Sequence, residues 1–351
     1  MESGLSASRP TPDRHAPVTL RDVATAAGVS PSTVSRILDD RVPASRTATA
    51  ERVRAVAASL GYRRNTFASN LRRGKTATIG VLVPRLSDTV MALMFEAIER
   101  AANRIGYFTV VATTGDDPTD TQEAAQTLLS RNVDGLIIAS SQRKDALPQQ
   151  LRQEGIPHAL VLRTDGISPS SLGDDEAGGY LATRHLIDLG HTDIAVLPGP
   201  LFTSTATGRL AGSMRALNEA GIETDPDWII ESGFGIENGA EAGRRLFGSS
   251  ARPTAVFAAN DNLALGAMAA AHERSLSVGD DFALVGYNDI PLAHLLSVPL
   301  TSVRTPFDQI AATALDLMLA PTPVNDPIRH ALPTLIPRRS SGLPVTRASD
   351  D

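Results

Sequence analysis

Between positions 18 and 60 the apolar residues recur at helical spacing in three short runs, and beyond 76 they gather into unbroken blocks separated by amphipathic stretches. Leu20, Val23 and Ala24 fall at i, i+3 and i+4 behind Thr19, a helix N-cap that Asp22 can answer three residues on. Ala26 and Ala27 keep the far end of this helix thin, and Gly28 supplies the positive φ that ends it. Ser30 then caps a second helix with Pro31 at its first position, where a missing N–H costs nothing. Val34, Ile37 and Leu38 form its buried side, which leaves Ser32, Thr33, Ser35 and Arg36 facing outward. A third helix over about 47–60 repeats Val53, Val56, Ala57 and Leu60 and stops at Gly61. The pattern predicts a helix-turn-helix. A short capped helix with small polar residues and one arginine outward suits the major groove, where Arg pairs with guanine and hydroxyls reach base edges or phosphates. An ordinary helical hairpin would show the same short pattern, so the flanks decide between them.

From 76 onward the pattern predicts strands at 79–83, 107–113, 135–139, 158–162, 194–197, 255–259 and 282–285, with helices at 90–105 and 121–131. Continuous apolar strands alternating with helices predict parallel sheets covered on both faces, and the number of βα units exceeds one sheet. Open α/β sheets bind ligands beyond the carboxyl ends of their strands. Asn260 and Asp261 follow one such end, Asn288 and Asp289 another, and Arg209 stands near the start of the helix after the LPGP turn.

Composition narrows the picture. The 351 residues are enough for two or three domains, and 42% hydrophobic against 21% charged residues is a globular balance. The absence of cysteine excludes disulfides, thiolate metal sites and a cysteine nucleophile, and fits a reducing cytoplasm. Residues 1–17, rich in Ser, Pro and Arg, read as a disordered lead without a signal-peptide core, and no apolar run is long enough for a membrane span. The net charge of −6 conceals an asymmetry: residues 1–75 hold 13 Lys and Arg against 6 Asp and Glu, a net of +7, and the remainder 20 against 33, a net of −13. Basic charge gathered beside the helix-turn-helix is what phosphate contact requires. No HExxH, GxSxG or P-loop spacing occurs, and Gly178 and Gly179 open a helix without a GxGxxG after a strand. An enzyme, a cofactor and a metal site are therefore not expected.

VTLRDVATAAGVSPSTVSRILDD at 18–40, LGYRRN ending at Asn65 and LRRGKTATIGVLVP ending at Pro84 together resemble the lactose-repressor (LacI/GalR-type) family of bacterial transcription regulators. The likeness continues through DDEAG at Gly178, GRLAG at Gly212, AANDNLALGAM at Met268, LVGYNDIP at Pro291 and LTSVRTP at Pro306. It implies an all-α helix-turn-helix head at 18–64, a hinge at 65–75 and an α/β core at 76–345 made of two doubly wound parallel-sheet subdomains, like those of periplasmic binding proteins. One lobe would take about 77–174 and 302–325, the other about 175–301 and 331–345, with a tail at 346–351.

The same resemblance implies a cytoplasmic homodimer on a pseudo-palindromic operator with a CG step at its centre. The DNA-facing residues would be Thr19, Ser30, Pro31, Ser32, Thr33, Ser35, Arg36, Asn65 and Leu71, with Arg36, Ser32 and Pro31 setting operator sequence. Leu71 would wedge into the minor groove, kinking the duplex; alternatively Phe67 and Leu71, at i and i+4, pack on the core. Residues 343–351 hold no leucine heptads, so dimers rather than tetramers are expected.

Matched to the family's effector contacts are Arg209, Asn260 and Asn288, and Phe234 matches an aromatic that stacks on the ligand. A guanidinium fork and two amides suit a sugar, whose hydroxyls both donate and accept. The bland readings stay open: Arg209 could pair with Asp261 or a surface carboxylate, Asp261 could cap its own helix, and Phe234 could be ordinary core. Several relatives have aspartate where Asn288 stands, and many have aspartate or asparagine near Arg163. Those departures put the usual hexose contacts in doubt, and Arg163 would favour an anionic or phosphorylated effector. The rival from another class is a transporter's solute-binding module, which would require export and has no use for the basic head.

Overall fold

The computed structural model describes residues 18–38, 45–62, 76–143, 145–249, 251–322 and 326–342. Asn65, Phe67, Leu71 and the hinge as a whole lie outside the described residues, as do the lead at 1–17 and the tail beyond 342. The chain separates into two units, 1–75 and 76–351.

In the first unit, α1 (Leu20–Ala27) opens on a reciprocal cap: Thr19 N donates to Asp22 Oδ2 at 2.7 Å, and Asp22 N donates back to Thr19 Oγ1 at 3.4 Å. Gly28 sits at φ 66°, so the chain turns at once into α2 (Pro31–Ile37), whose cap Ser30 accepts from Thr33 N at 3.2 Å. α3 (Ala48–Ser59) is capped by Thr47 and donates from Arg52 Nε to Ala27 O at 3.2 Å, which ties it to the end of α1. Val23, Ala24, Ala27, Val34, Val53 and Ala57 form the small core. Leu60 does not join them. It is the C-cap of α3 and stays exposed, while Tyr62, beyond the Gly61 turn, packs on the cluster instead.

The second unit is built from two sheets. β1 (Thr78–Val83), α4 (Thr89–Arg104), β2 (Phe108–Thr113), α5 (Pro118–Ser130), β3 (Gly135–Ile138), α6 (Ala146–Gln153), β4 (His158–Val161) and β5 (Ser170–Gly173) begin the first lobe. The chain then crosses into the second lobe through α7 (Asp175–Asp188), β6 (Ile194–Leu197), α8 (Ser204–Glu219), α9 (Ile236–Gly248), β7 (Ala255–Ala258), α10 (Asp261–Glu273), β8 (Ala283–Asn288) and β9 (Thr301–Arg304). α11 (Phe307–Leu319) returns to pack on α4 and the first sheet, and β10 (Ile328–Ala331) pairs with β5 there. β11 (Thr334–Ile336) ends in the second sheet, antiparallel to β9. The strand orders are β10-β5-β4-β3-β1-β2 and β11-β9-β8-β7-β6, and every other pairing is parallel.

Period-two alternation divides each sheet between its covering layers. Val81 and Val83 face α4 and α11, and Leu82 faces α5 and α6; in the other lobe Ala195 and Leu197 face one layer, Ile194 and Val196 the other. Two lobe boundaries differ from the expected ones. Residues 302–304 stay in the second lobe, because Val303 pairs with Tyr287 and Ser302 Oγ donates to buried Asp261. The first lobe runs on through Ala331, because 328–331 adds an edge strand to its sheet.

Candidate ligand cleft and nucleic-acid interface

The carboxyl ends of the strands bring their loops to one cleft. In the first lobe, β1 leads to Asp88, which caps α4 by accepting from Val90 N at 3.0 Å. Burial raises the pKa of this carboxyl. At the end of β4, Leu162 adopts φ 63°, a left-handed conformation that costs energy for a residue with a Cβ. That turn, closed by Arg163 N donating to Val161 O at 2.7 Å, sends the Arg163 side chain into the cleft. Arg163 is only 4% exposed. Burial pulls its guanidinium pKa down to about 10, against the opposing fields of Asp116 and Asp88, so it remains a cation at neutral pH.

In the second lobe, the turn after β6 places Thr203 as the cap of α8, with Thr205 and Arg209 on its first turns. α8 can approach α7 because two glycines remove the obstruction: a Cβ on Gly179 would stand 2.0 Å from Arg209 O, and one on Gly212 1.9 Å from Glu176 O. The approach carries Arg209 to Asp175, and Nε donates to Oδ1 at 2.8 Å. Nη1 donates to Ala259 O at 2.5 Å, and Cζ lies 3.7 Å from the centre of the Tyr287 ring. Asn260, after β7, is the N-cap of α10: Oδ1 accepts from Leu263 N at 2.7 Å, and Nδ2 donates to Phe234 O at 3.0 Å. Asn288 ends β8 at φ 98° and accepts from Thr305 Oγ1 at 3.0 Å.

The structure therefore gathers all five expected cleft residues, Arg163, Arg209, Phe234, Asn260 and Asn288, around one space. It corrects two alternatives. Arg209 pairs with Asp175 rather than Asp261, and the cap of α10 is Asn260 rather than Asp261. Asp261 lies behind the cleft wall, where it accepts from Ile290 N at 2.8 Å and Ser302 Oγ at 2.6 Å. Desolvation raises its pKa to about 7. Asp88 and Thr205 also line the cleft and were missed. Asp88 had a legible signal, since it follows the first apolar strand as a helix cap. A hydrogen bond from Thr164 N to Ser204 Oγ at 3.0 Å joins the lobes beside the cleft.

On the head, Pro31, Ser32 and Arg36 are exposed, while Thr33 and Ser35 are half-buried. Ser30 Oγ lies 2.8 Å from both Ser32 Oγ and Thr33 Oγ1, so the start of α2 presents a linked set of hydroxyls with Arg36 one turn on. Thr19 is exposed, but its hydroxyl donates to Asp22 at 2.8 Å. Among the described residues no group of His, Cys, Asp or Glu could hold a metal ion, and no helix is long and apolar enough to cross a membrane.

Residues 19–65 match the model of bacterial regulatory proteins of the lacI family, and residues 76–340 match that of periplasmic binding proteins and the sugar binding domain of the LacI family. The HTH-type transcriptional repressor PurR of Vibrio campbellii is 33% identical over 307 residues, covering 86% of this chain and 91% of the relative. The ribose operon repressor of Haemophilus influenzae is 35% identical over 305 residues, with the same coverages of 86% and 91%. Among solved structures, the Lac repressor bound to ONPG in its repressed state superposes with a TM-score of 0.82 at 31% identity, covering 93% of this chain and all of the other.

Proposed function

The chain belongs to the LacI family of bacterial regulatory proteins, DNA-binding transcriptional repressors with an effector-binding body, and from that premise we propose which molecules it answers to and how. The effector is a sugar or sugar derivative held between the two lobes by Arg163, Arg209, Phe234, Asn260 and Asn288. One observation carries this reading: residues far apart in sequence and drawn from both lobes line a single cleft. Amides that cap a helix or fix a loop still have a spare donor or lone pair for a hydroxyl, and Phe234 offers an apolar face for a ring.

The repressor acts as a cytoplasmic homodimer, two heads reading a pseudo-palindromic operator at a fixed spacing. Arg36, Ser32 and Pro31 set the sequence read, Thr33, Ser35, Ser30, Thr19 and Asn65 position the head on phosphates, and Leu71 enters the minor groove. Effector closing the lobes changes the spacing of the two heads. By linkage, the operator must then alter effector affinity by the same factor that effector alters operator affinity.

The test is titration of the full-length protein onto fluorescent DNA from upstream of its own gene, repeated with a panel of sugars and sugar derivatives. Affinity that falls steeply with salt and shifts with one ligand supports the reading. Binding that no ligand alters, while one of them occupies the cleft, would remove the effector role.

A further inference from the structure

The polar groups of the cleft are unequally satisfied. Arg209 spends two of its nitrogens on Asp175 and Ala259 O. Arg163 is as deeply buried, yet its Nη1 is shut away from solvent with no hydrogen-bond partner among the described residues. Asp88 lines the same cleft, but its Oδ1 accepts from Val90 N and its charge reaches Arg163 only through space. Phe234 lies 6.0 Å from the guanidinium, a weak contact for a full charge. Burying an unpaired cation is expensive, and this chain goes further by holding Leu162 in a left-handed turn that aims the next residue inward. Thr205, on the first turn of the 16-residue α8, brings the positive end of that helix to the same space. A neutral sugar would leave the guanidinium with only the through-space fields of Asp116 and Asp88 and no hydrogen-bonded counter-charge. An acidic one would complete it.

We propose that the ligand is an anionic carbohydrate, whose carboxylate or phosphate oxygens are held by Arg163 at the first-lobe wall, with its ring against Phe234 and hydroxyls on Asn260, Asn288 and Asp88. The inference rests on the reading of the cleft as the effector site. It deepens that reading by fixing the charge of the ligand and the residue that selects it. The guanidinium presents paired N–H donors to an oxyanion, and a charge-assisted hydrogen bond is roughly twice as strong as a neutral one.

Full-length wild type and Arg163→Met are compared in three measurements. Without ligand, Arg163→Met melts at or above the temperature of the wild type, because no hydrogen-bonded partner is orphaned; a fall of several degrees would make Arg163 a structural residue and overturn the proposal. With inorganic phosphate added at constant ionic strength, the wild type shows a saturable rise in melting temperature and Arg163→Met shows none. Equal responses overturn it, and this arm decides even where no sugar in a panel fits. Calorimetry with glucose, glucuronate and glucose 6-phosphate then separates the sources of the charge. Whichever acid fits binds the wild type roughly 10- to 100-fold more tightly than glucose, an advantage lost in Arg163→Met. Glucose binding as tightly as both acids, in both proteins, sinks the anionic ligand and leaves an effector cleft standing. An acid that binds through Arg163 yet leaves operator affinity unchanged supports the anionic ligand and counts against the effector reading.

Discussion

Arg209 and Asp175 meet inside the second lobe with Nε and Oδ1 2.8 Å apart, and their side chains are 6% and 12% exposed. Burial is the largest influence on the Asp175 carboxyl and raises its pKa, while Arg209 pulls the other way. Removing the arginine leaves that carboxyl buried without its counter-charge. Arg209→Ala is expected to lose about 3–5 kcal/mol of stability. The sign of its pH dependence follows. With the folded pKa raised above the unfolded one, the native variant binds the extra proton, so its deficit grows as pH rises and shrinks as pH falls. Chemical denaturation at pH 5 and pH 8 checks this. The variant is therefore a poor reporter of ligand contact, and Arg163 a better one.

Asp261 predicts a second pH effect. Its carboxyl is buried, and desolvation lifts its pKa from 3.8 to about 7. A folded pKa above the unfolded value stabilises at low pH, and the contribution is lost as pH climbs through about 4 to 7. Asp261→Asn removes that titration, so its stability relative to wild type should improve between pH 5 and pH 7 and level off towards pH 8. A constant difference across that range would show that the carboxyl titrates normally.

The contact between α7 and α8 depends on the absence of two side chains. Gly179→Ala would set a Cβ 2.0 Å from Arg209 O, backbone that cannot swing aside as a side chain can. Overpacking of this kind costs roughly 1–3 kcal/mol, and here it also displaces the helix that carries Thr205 and Arg209. Melting temperature and effector affinity should fall together. Gly221→Ala, whose added Cβ meets nothing within 4 Å but whose φ is 68°, gives a control for backbone strain alone.

On the head, Ser30 and Arg36 make separable predictions. Ser30→Ala removes the oxygen that accepts from Thr33 N and should cost about 1 kcal/mol of stability in the head. Arg36→Ala touches no cap. It should weaken preference among operator variants by about 1–3 kcal/mol at one base position, measured by competition, with little change in melting temperature.

Much of this architecture was legible, for reasons particular residues make plain. The caps Thr19 and Ser30 sat directly before helical periodicity, and the strands at 79–83 and 194–197 were unbroken apolar runs. Arg209, Asn260 and Asn288 could be placed because strand carboxyl ends face ligand and because the motifs around them resemble a known family. β5 and β10 were hidden: Ser170–Gly173 and Ile328–Ala331 carry little of the β-branched apolar signal, and one strand supports the other only after the chain has crossed lobes twice. The partner of Arg209 was equally out of reach, since Asp175 lies 34 positions away and meets it only through the glycine-lined contact of two helices. Leu60 misled because helical spacing continued one residue past the helix.

The central claim, a basic head under the control of a ligand-filled body, is tested most directly by the salt dependence of operator affinity with and without bound ligand. Anisotropy titrations of the full-length protein on its own upstream DNA should give a steep negative slope of log K against log salt, and a ligand that occupies the cleft should shift the curve. A flat salt profile, or superimposable curves with the cleft empty and occupied, would contradict it.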